Sequence, residues 1–385
     1  MQSKNASYLA KVDHLRALAA VTVMLFHTKL STLQAPTQDA IHLVLIDQGH
    51  VGVPLFMVIS GFILSHITTQ KKIIVKRFYA NRILRIYPLF VTIAALSAFT
   101  PPSPNSTSAA LVFLVLLLPI SGAYPVYSSP LWSVIVELQF YILFPLIRSM
   151  LDRYKWVAYS LMLMFVILIR ALIWLSTGKV HYLAFFTLFG GLDAFLFGAI
   201  AREVYALYRD RTFPWWTAVA TMSAVIVALS TLFKMRLFFH VDYQAATPQG
   251  LYVQSVSPMW IIWPTIEGAL FAAALVSYLL SNVTIFGSRQ LAWLGTISYS
   301  FYAWHALVIS ALASRFEAFL TPYLIGFLII LPVSLIIAAV SYYVIEWPFL
   351  QMRVRYVGGP IERASFPLNP LTADGLDERS VSIHR

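Results

Sequence analysis

Residues 156–176 read WVAYSLMLMFVILIRALIWLS, an apolar run in which Arg170 carries the one formal charge. About 20 apolar residues in an α-helix are enough to cross the hydrocarbon core of a bilayer. A helix that is apolar on every face must be surrounded by lipid or by a large protein core. This segment therefore predicts a transmembrane helix, and comparable segments occur on both sides of it.

The composition extends this prediction to the whole chain. Of the 385 residues, 59% are hydrophobic and 11% are charged, whereas soluble domains average about 25% charged residues. Cysteine is absent, which excludes disulfides, thiolate metal sites and acyl-cysteine chemistry. The formal charge of +11 lies in short loops between apolar runs. There it sets membrane topology, and it does not form the basic patch that nucleic-acid binding requires.

Ten apolar runs are long enough, or nearly so, to be transmembrane helices. The first of them could be taken for a signal peptide, but no small-residue cleavage site follows it, so we expect an uncleaved span. The runs are 14–30, 51–67, 83–100, 131–148, 156–176, 183–202, 214–233, 259–280, 297–314 and 323–346.

An eleventh, shorter run at 107–120 decides the topology. If it does not cross and the N-terminus is inside, 21 Lys and Arg residues face the cytosol and five face the exterior; if it crosses, the division is 13 and 13. The positive-inside rule therefore predicts an all-α integral membrane protein of about ten helices with both termini cytoplasmic. Segment 107–120 is then re-entrant or peripheral on the outer side. Residues 1–350 form the membrane domain, and the polar segment 351–385 is expected to be a disordered cytoplasmic tail.

The first predicted span contains VDHLRALAAVTVMLFH (12–27). Arg16 and His27 are eleven residues apart, so they lie on nearly the same helix face, about 17 Å apart along the axis. In the predicted topology Arg16 is near the cytosolic surface and His27 is toward the outer end. In one interpretation Arg16 is a topological anchor and His27 is an interfacial histidine. In the other, Arg16 binds an anion and His27 is a general base. An imidazole suits that role because its unperturbed pKa lies near neutrality.

A basic segment, KRFYANRILRIYP (76–88), stands where the chain is predicted to enter the membrane from the cytosol. Arg82 and Arg85 are three residues apart and therefore project from neighbouring positions on one helix face. They are either a topology signal alone or a phosphate-binding fork, for which the geometry of two guanidinium groups is well suited.

A carboxyl group lies inside the apolar span LWSVIVELQFYILFP (131–145). Glu137 shares a helix face with Ser133 and Tyr141, and it lies about 9 Å below the predicted outer end of the helix. This depth is similar to that of His27. An intramembrane carboxylate is a functional candidate by default, and a structural polar contact is the alternative.

Polar residues also interrupt the span that contains GTISYSFYAWHALVI (295–309). Ser298, Tyr302 and His305 share one helix face, and His305 is expected near mid-membrane. The other charged residues within predicted spans are Arg170, Asp193 and Glu267, of which the first two could be a structural ion pair. The sequence contains no nucleophile elbow, phosphate-binding loop or metal-ligand cluster.

Together these segments resemble the acyltransferase-3 family of membrane acyltransferases. The resemblance runs in order from about residue 12 to residue 350. There are two departures: His14 stands where the family usually has glycine, and TLFGG precedes Asp193 where many members carry an arginine. The matching segments are D-x-L-R-A with Arg16 and His27 as R-x10-H, GVPLFMVISGFILS (52–65), RILRIYP (82–88), LWSxxxExxFY (131–141), LGTISYSFYAWH (294–305) and IEWPF (345–349).

The resemblance implies acyl transfer, usually of acetyl, from a cytosolic acyl-coenzyme A to a hydroxyl of a glycan or glycolipid. It implies no metal, and it places the protein among the lipids of a bacterial plasma (inner) membrane. Some members carry a C-terminal extracytoplasmic hydrolase-like domain. This chain ends before one, so we expect it to act alone or with a separate partner. A glycan transporter without transfer activity and a membrane scaffold are the alternatives.

The expected mechanism assigns a role to each candidate residue. His27 is the general base or a transient acyl carrier, and Glu137 orients it or balances its charge. The donor phosphates are held by Arg16, Arg82 and Arg85, while the pantetheine arm extends toward His27. The substrate cavity is expected to be lined by Ser60, Ser133, Tyr141, Ser298, Tyr302 and His305.

Overall fold

The structure, a computed structural model, describes residues 8–32, 49–99, 131–238 and 257–360. The predicted re-entrant segment 107–120 lies outside the described residues. Along the described parts, the helices are α1 (Ala10–Ser31), α2 (Gly52–Thr68), α3 (Val75–Phe99), α4 (Leu131–Tyr154), α5 (Trp156–Thr177), α6 (His181–Phe186), α7 (Leu188–Tyr208), α8 (Trp215–Phe238), α9 (Trp263–Leu280), α10 (Ser288–Thr296), α11 (Ser298–Phe316) and α12 (Pro322–Gln351).

Nine of the ten predicted apolar runs fall largely within one helix each, whereas the run 183–202 is divided between α6 and α7 at Thr187. Four helices, α4, α5, α9 and α12, are long and apolar enough to cross a membrane, and α2 and residues Trp215–Thr231 of α8 are shorter apolar helices. The expectation of a helical membrane protein is therefore confirmed. Ten crossings and two cytoplasmic termini stay predictions.

Helix α12 contains two π-helical turns, Gly326–Ile330 and Tyr342–Glu346. Each of them is followed within two residues by a proline, Pro332 or Pro348. A proline inside a helix lacks an N–H group and its ring collides with the preceding turn, and a widened turn relieves both problems. The second widened turn is where Glu346 lies, a residue that is buried.

The centre of the molecule is the contact between α2 and α7. A Cβ atom at Gly61 would overlap the carbonyl oxygen of Phe195, and one at Gly198 would overlap that of Val58. The two backbones therefore touch at two glycines, which is how small residues allow helices to approach closely in membranes. This contact fixes the position of Ser60, on α2, relative to α7.

The cytoplasmic tail was expected to begin at residue 351, but its first part is packed. Strand β1 (Lys71–Ile73) pairs antiparallel with β2 (Val357–Pro360). The Asn81 side chain donates to the carbonyl oxygen of Val354 and accepts from its N–H. Tyr356 is 1% exposed. The prediction was wrong for residues 352–360 because a buried tyrosine and backbone pairing outweigh the polar composition; residues 361–385 lie outside the described part.

Candidate active site

Six helices converge on one cavity in the interior of the described structure. Its wall combines two guanidinium groups, one carboxylate and several hydroxyls with an apolar side. The residues that line it are Arg16 from α1; Val53, Phe56, Met57 and Ser60 from α2; Arg85 and Ile86 from α3; Ser133, Val134 and Glu137 from α4; Phe195 from α7; and Ser298, Tyr299 and Tyr302 from α11.

The two cavity arginines differ in their partners. Arg16 Nη1 lies 3.2 Å from Asp13 Oδ1, one turn earlier on α1. Arg85 makes no hydrogen bond to any other residue that the structure describes, although Glu137 and Glu346 lie within electrostatic reach. A guanidinium carries five N–H donors that require acceptors when removed from bulk water. Arg85 is therefore a cation whose donors are available to a bound ligand.

Arg82, one turn before Arg85, does not line this cavity. Its guanidinium carbon lies 5.5 Å from the ring centre of Phe78, 5.2 Å from that of Tyr141 and 5.6 Å from that of Tyr356. Such stacking holds a cation on ring faces. The predicted fork of two parallel arginines is thus divided, because the aromatic rings hold Arg82 to one side of the cavity.

Arg353, which follows α12, belongs to the same basic end of the molecule. Burial, followed by the positive charges of Arg85 and Arg82, lowers the pKa of Arg353 to about 10. It stays charged at neutral pH. Three guanidinium groups therefore act on one another at this end, and a bound anion would relieve their repulsion.

Glu137 is held inside the cavity wall by two hydroxyls. Ser60 Oγ and Tyr141 Oη both donate to Glu137 Oε1, each at 2.5 Å. Both hydrogen bonds end on the same carboxyl oxygen, so Ser60 and Tyr141 hold this side chain in place. Next to it, Ser133 Oγ and Tyr302 Oη form a hydrogen bond of 2.7 Å.

The partner of His27 is another histidine. His27 Nδ1 lies 2.8 Å from His305 Nε2, and the two rings are stacked with centres 5.1 Å apart. His305 Nδ1 in turn lies 2.6 Å from the carbonyl oxygen of Tyr302. Since His305 is 0% exposed, the imidazole of His27 faces the protein interior on this side. A base oriented by a second group is the arrangement that activates hydroxyl nucleophiles.

Some of the predicted site residues line the cavity and others do not. Seven of them line the cavity: Arg16, Ser60, Arg85, Ser133, Glu137, Ser298 and Tyr302. Tyr141 and His305 lie behind the lining, and each bonds a candidate residue instead of facing the cavity. The expectation that Glu137 orients His27 is not met among the described contacts, because both hydroxyl donors of Glu137 come from α2 and α4. His27 is not among the residues that line the cavity; it bonds His305, whose Nδ1 lies beside the carbonyl oxygen of the lining residue Tyr302.

Arg170 and Asp193 form the structural ion pair that was one of the predicted interpretations. Both are 0% exposed, and Arg170 binds the two carboxylate oxygens of Asp193 at 2.9 Å each. Thr265 donates to Asp193 Oδ2 at 2.6 Å, and Arg170 also donates to the carbonyl oxygens of Gly190 and Ile261. This cluster ties α5, α7 and α9 together. Glu267 is buried nearby on α9.

His14, one of the departures from the family pattern, has a packing role. Its Nδ1 lies 2.6 Å from Tyr278 Oη and its Nε2 lies 2.9 Å from the carbonyl oxygen of Ser288. It thereby joins α1 to α9 and to the start of α10. Sequence reasoning missed this role, and it also missed Tyr299 and Arg353. The segment VRYV (354–357), with its tyrosine among valines, was the available signal for a packed tail.

Comparison with known proteins identifies the class. The chain belongs to the acyltransferase-3 family, since the family model described as an acyltransferase domain matches residues 9–343. The expectation of family membership is confirmed.

Individual relatives are distant. The chain is 24% identical over 375 residues to a protein of Staphylococcus aureus (strain COL) provisionally named an O-acetyltransferase, covering 90% of this chain and 58% of the relative. It is 24% identical over 376 residues to the peptidoglycan O-acetyltransferase OatA of Listeria monocytogenes, covering 89% and 56%. A provisionally named acetyltransferase of Acidianus two-tailed virus is 28% identical over 309 residues, covering 78% and 84%. The chain thus spans less than two thirds of the length of the two bacterial relatives. No solved structure matches it significantly.

Proposed function

We propose that this protein is a membrane O-acyltransferase that moves an acyl group from a cytosolic acyl-coenzyme A to a hydroxyl of a glycan or glycolipid. The preferred acyl group in this proposal is acetyl. The observation that carries the proposal is the cavity that joins Arg16 and Arg85 with a carboxylate and hydroxyl groups. Membership in the acyltransferase-3 family and relatives named O-acetyltransferases support the same reaction.

Donor binding follows from the charge of the cavity. Coenzyme A carries phosphate groups, and guanidinium groups bind phosphate with two parallel hydrogen bonds. Arg85 has donors available, and Arg16 can exchange its contact with Asp13 for a stronger one. Arg82 and Arg353 add positive charge without lining the cavity. In this proposal the phosphates lie at the cytosolic end, and the thioester extends along α1 toward His27.

His27 is the proposed general base. Its Nε2 removes the proton from the acceptor hydroxyl while that oxygen attacks the thioester carbonyl carbon. The C–S bond then breaks, and the coenzyme A thiolate takes the same proton back from His27 Nε2. The products are an ester and a free thiol, with no net change at the imidazole. Glu137, held by Ser60 and Tyr141, lines the cavity of Arg16 and Arg85 and accepts a hydrogen bond from a bound hydroxyl there.

The membrane arrangement is part of the proposal. With ten crossings and both termini in the cytoplasm of a bacterial inner membrane, Arg16 and the start of α3 face the cytosolic donor. His27 then lies toward the side on which glycan acceptors are exposed. The excess of Lys and Arg on the proposed cytosolic side supports this orientation.

The test uses labelled acetyl-coenzyme A with membrane vesicles from cells of the source organism whose own copy of the gene is deleted. Wild-type protein should transfer label to material retained in the vesicles and release free coenzyme A. His27→Ala should lower the rate by about 100-fold or more, the usual contribution of a general base. His66→Asn is the matched control, since His66 stacks on Phe62 away from the cavity.

Two outcomes would overturn the proposal. Transfer that persists in a correctly inserted His27→Ala protein removes His27 from the mechanism. Glycan export by the wild-type protein without consumption of acetyl-coenzyme A would instead identify a transporter.

A further inference from the structure

We propose that His305 is a positioning residue that fixes the tautomer of His27 and so makes Nε2 of His27 the basic atom. This inference rests on the proposed function and assigns a role that the sequence patterns did not give to His305. The contacts that carry it join three groups in a row: His27 Nδ1, His305 and the carbonyl oxygen of Tyr302.

The order of donors is decided at the inner end of this row. A backbone carbonyl oxygen accepts hydrogen bonds and cannot donate them. The distance of 2.6 Å between His305 Nδ1 and the Tyr302 oxygen therefore requires a proton on Nδ1. In a neutral imidazole one nitrogen carries the proton and the other a lone pair. His305 Nε2 is consequently an acceptor.

The same reasoning then fixes His27. Its Nδ1 lies 2.8 Å from His305 Nε2, so His27 must supply the proton of that hydrogen bond. The remaining nitrogen, Nε2, carries the lone pair. The opposite order would require a charged His305, which is disfavoured because His305 is 0% exposed and lies beside Phe301 and Tyr302.

The row ends at a peptide carbonyl, which cannot take up a proton and pass it on. His305 therefore holds His27 in place and does not conduct protons away from it. The proton that His27 Nε2 removes from the acceptor hydroxyl has to leave from the same nitrogen, to the departing coenzyme A thiolate. Base and acid are then one atom, which Nδ1–H···Nε2 hydrogen bonding to His305 keeps oriented.

Four substitutions of His305 separate orientation from packing. His305→Leu keeps apolar volume but removes the acceptor, and His305→Ala removes both. The amide oxygen of His305→Gln can reach the position of Nε2 and accept from His27, whereas the shorter His305→Asn reaches only the position of Nδ1. In the vesicle assay, kcat should fall by about tenfold to 100-fold in the Leu, Ala and Asn variants, with KM for acetyl-coenzyme A within about twofold.

His305→Gln should recover about tenfold in kcat relative to His305→Leu. Its pH–rate profile should keep the wild-type shape, since the base is still His27. Wild-type kcat in His305→Leu would overturn the inference. So would a Gln variant no more active than the Leu variant, because an acceptor at the position of Nε2 would then not account for the role of His305.

The tautomer of His27 can also be determined by NMR without a catalytic reaction. In protein labelled with ¹⁵N-histidine and reconstituted into lipid nanodiscs, the signals of His27 are found by their loss in His27→Gln. At neutral pH the spectrum should show a protonated Nδ1 and an unprotonated Nε2, and His305→Leu should abolish this preference. A protonated Nε2 in the wild-type protein would overturn the inference. Because no reaction is needed, this result stands whether or not the proposed function does.

Discussion

Arg170 and Arg85 have opposite surroundings. Arg170, on α5, is 0% exposed and donates hydrogen bonds to both carboxylate oxygens of Asp193, to Gly190 on α7 and to Thr265 on α9. Arg85, on α3, opens into a cavity and makes no hydrogen bond to another residue in the described parts of the chain. A buried cation whose Nη atoms are bonded to several helices ties those helices together. A partly buried cation with available donors is a candidate anion-binding group.

The carboxylates show the same difference. Asp193 accepts from Arg170, Thr265 and the N–H of Ala194, and it is 0% exposed. Glu137 receives two hydroxyl donors on Oε1 and lines the cavity. The first carboxylate therefore belongs to the scaffold and the second to the site.

The largest effect, on the free energy of unfolding, is expected when the ion pair between Arg170 and Asp193 is broken. Arg170→Leu leaves Asp193 buried without its cation, which destabilises a protein by about 3–5 kcal/mol. The free energy of unfolding in mild detergent, titrated with a denaturing detergent, should fall by that amount, and the yield of inserted protein should fall with it. The double variant Arg170→Leu/Asp193→Leu should recover part of the loss. A stable single variant would mean that Arg170 is not a structural residue.

Arg85→Gln should have the next largest effect, and on function alone. Loss of charge-assisted hydrogen bonds to phosphate corresponds to about 1.5–3 kcal/mol, or roughly tenfold to 100-fold in KM for acetyl-coenzyme A. The unfolding transition should stay within error of the wild type, because no described residue loses a hydrogen bond. A variant that unfolds readily while its KM is unchanged would reverse the assigned roles of the two arginines.

Arg82→Gln is expected to act more weakly. The guanidinium is stacked among the rings of Phe78, Tyr141 and Tyr356 and contributes its charge from a distance. KM should rise by about threefold, and high salt should reduce the difference from the wild type. An effect as large as that of Arg85→Gln would show that Arg82 leaves the rings and contacts the donor directly.

Asp13→Asn should give the smallest effect and the opposite sign. The carboxylate of Asp13 competes for Arg16 through a partly exposed ion pair, and such pairs contribute little to stability. Its removal leaves Arg16 available, so KM for acetyl-coenzyme A should fall by about twofold. A rise in KM would mean that Asp13 is needed to aim Arg16.

Sequence reasoning located the helices well, because an apolar run of membrane length is a local property. It also selected most cavity residues, since a shared helix face follows from spacing. It paired His27 with Glu137, whereas the structure pairs His27 with His305, 278 positions away. Similar depth in the membrane does not decide which helices are neighbours. The aromatic surroundings of Arg82 and the packed residues 352–360 likewise depend on contacts between distant segments.

The cavity of Arg16 and Arg85 is the proposed binding place of the donor phosphates, on which every other assigned role depends. Titration of coenzyme A into purified protein, followed by calorimetry, measures this directly. We predict saturable binding to the wild type, a Kd raised by about tenfold or more in Arg85→Gln, and a further rise in Arg16→Gln/Arg85→Gln. An equal Kd for coenzyme A in the wild type and both variants would contradict the assignment of this cavity as the phosphate-binding site.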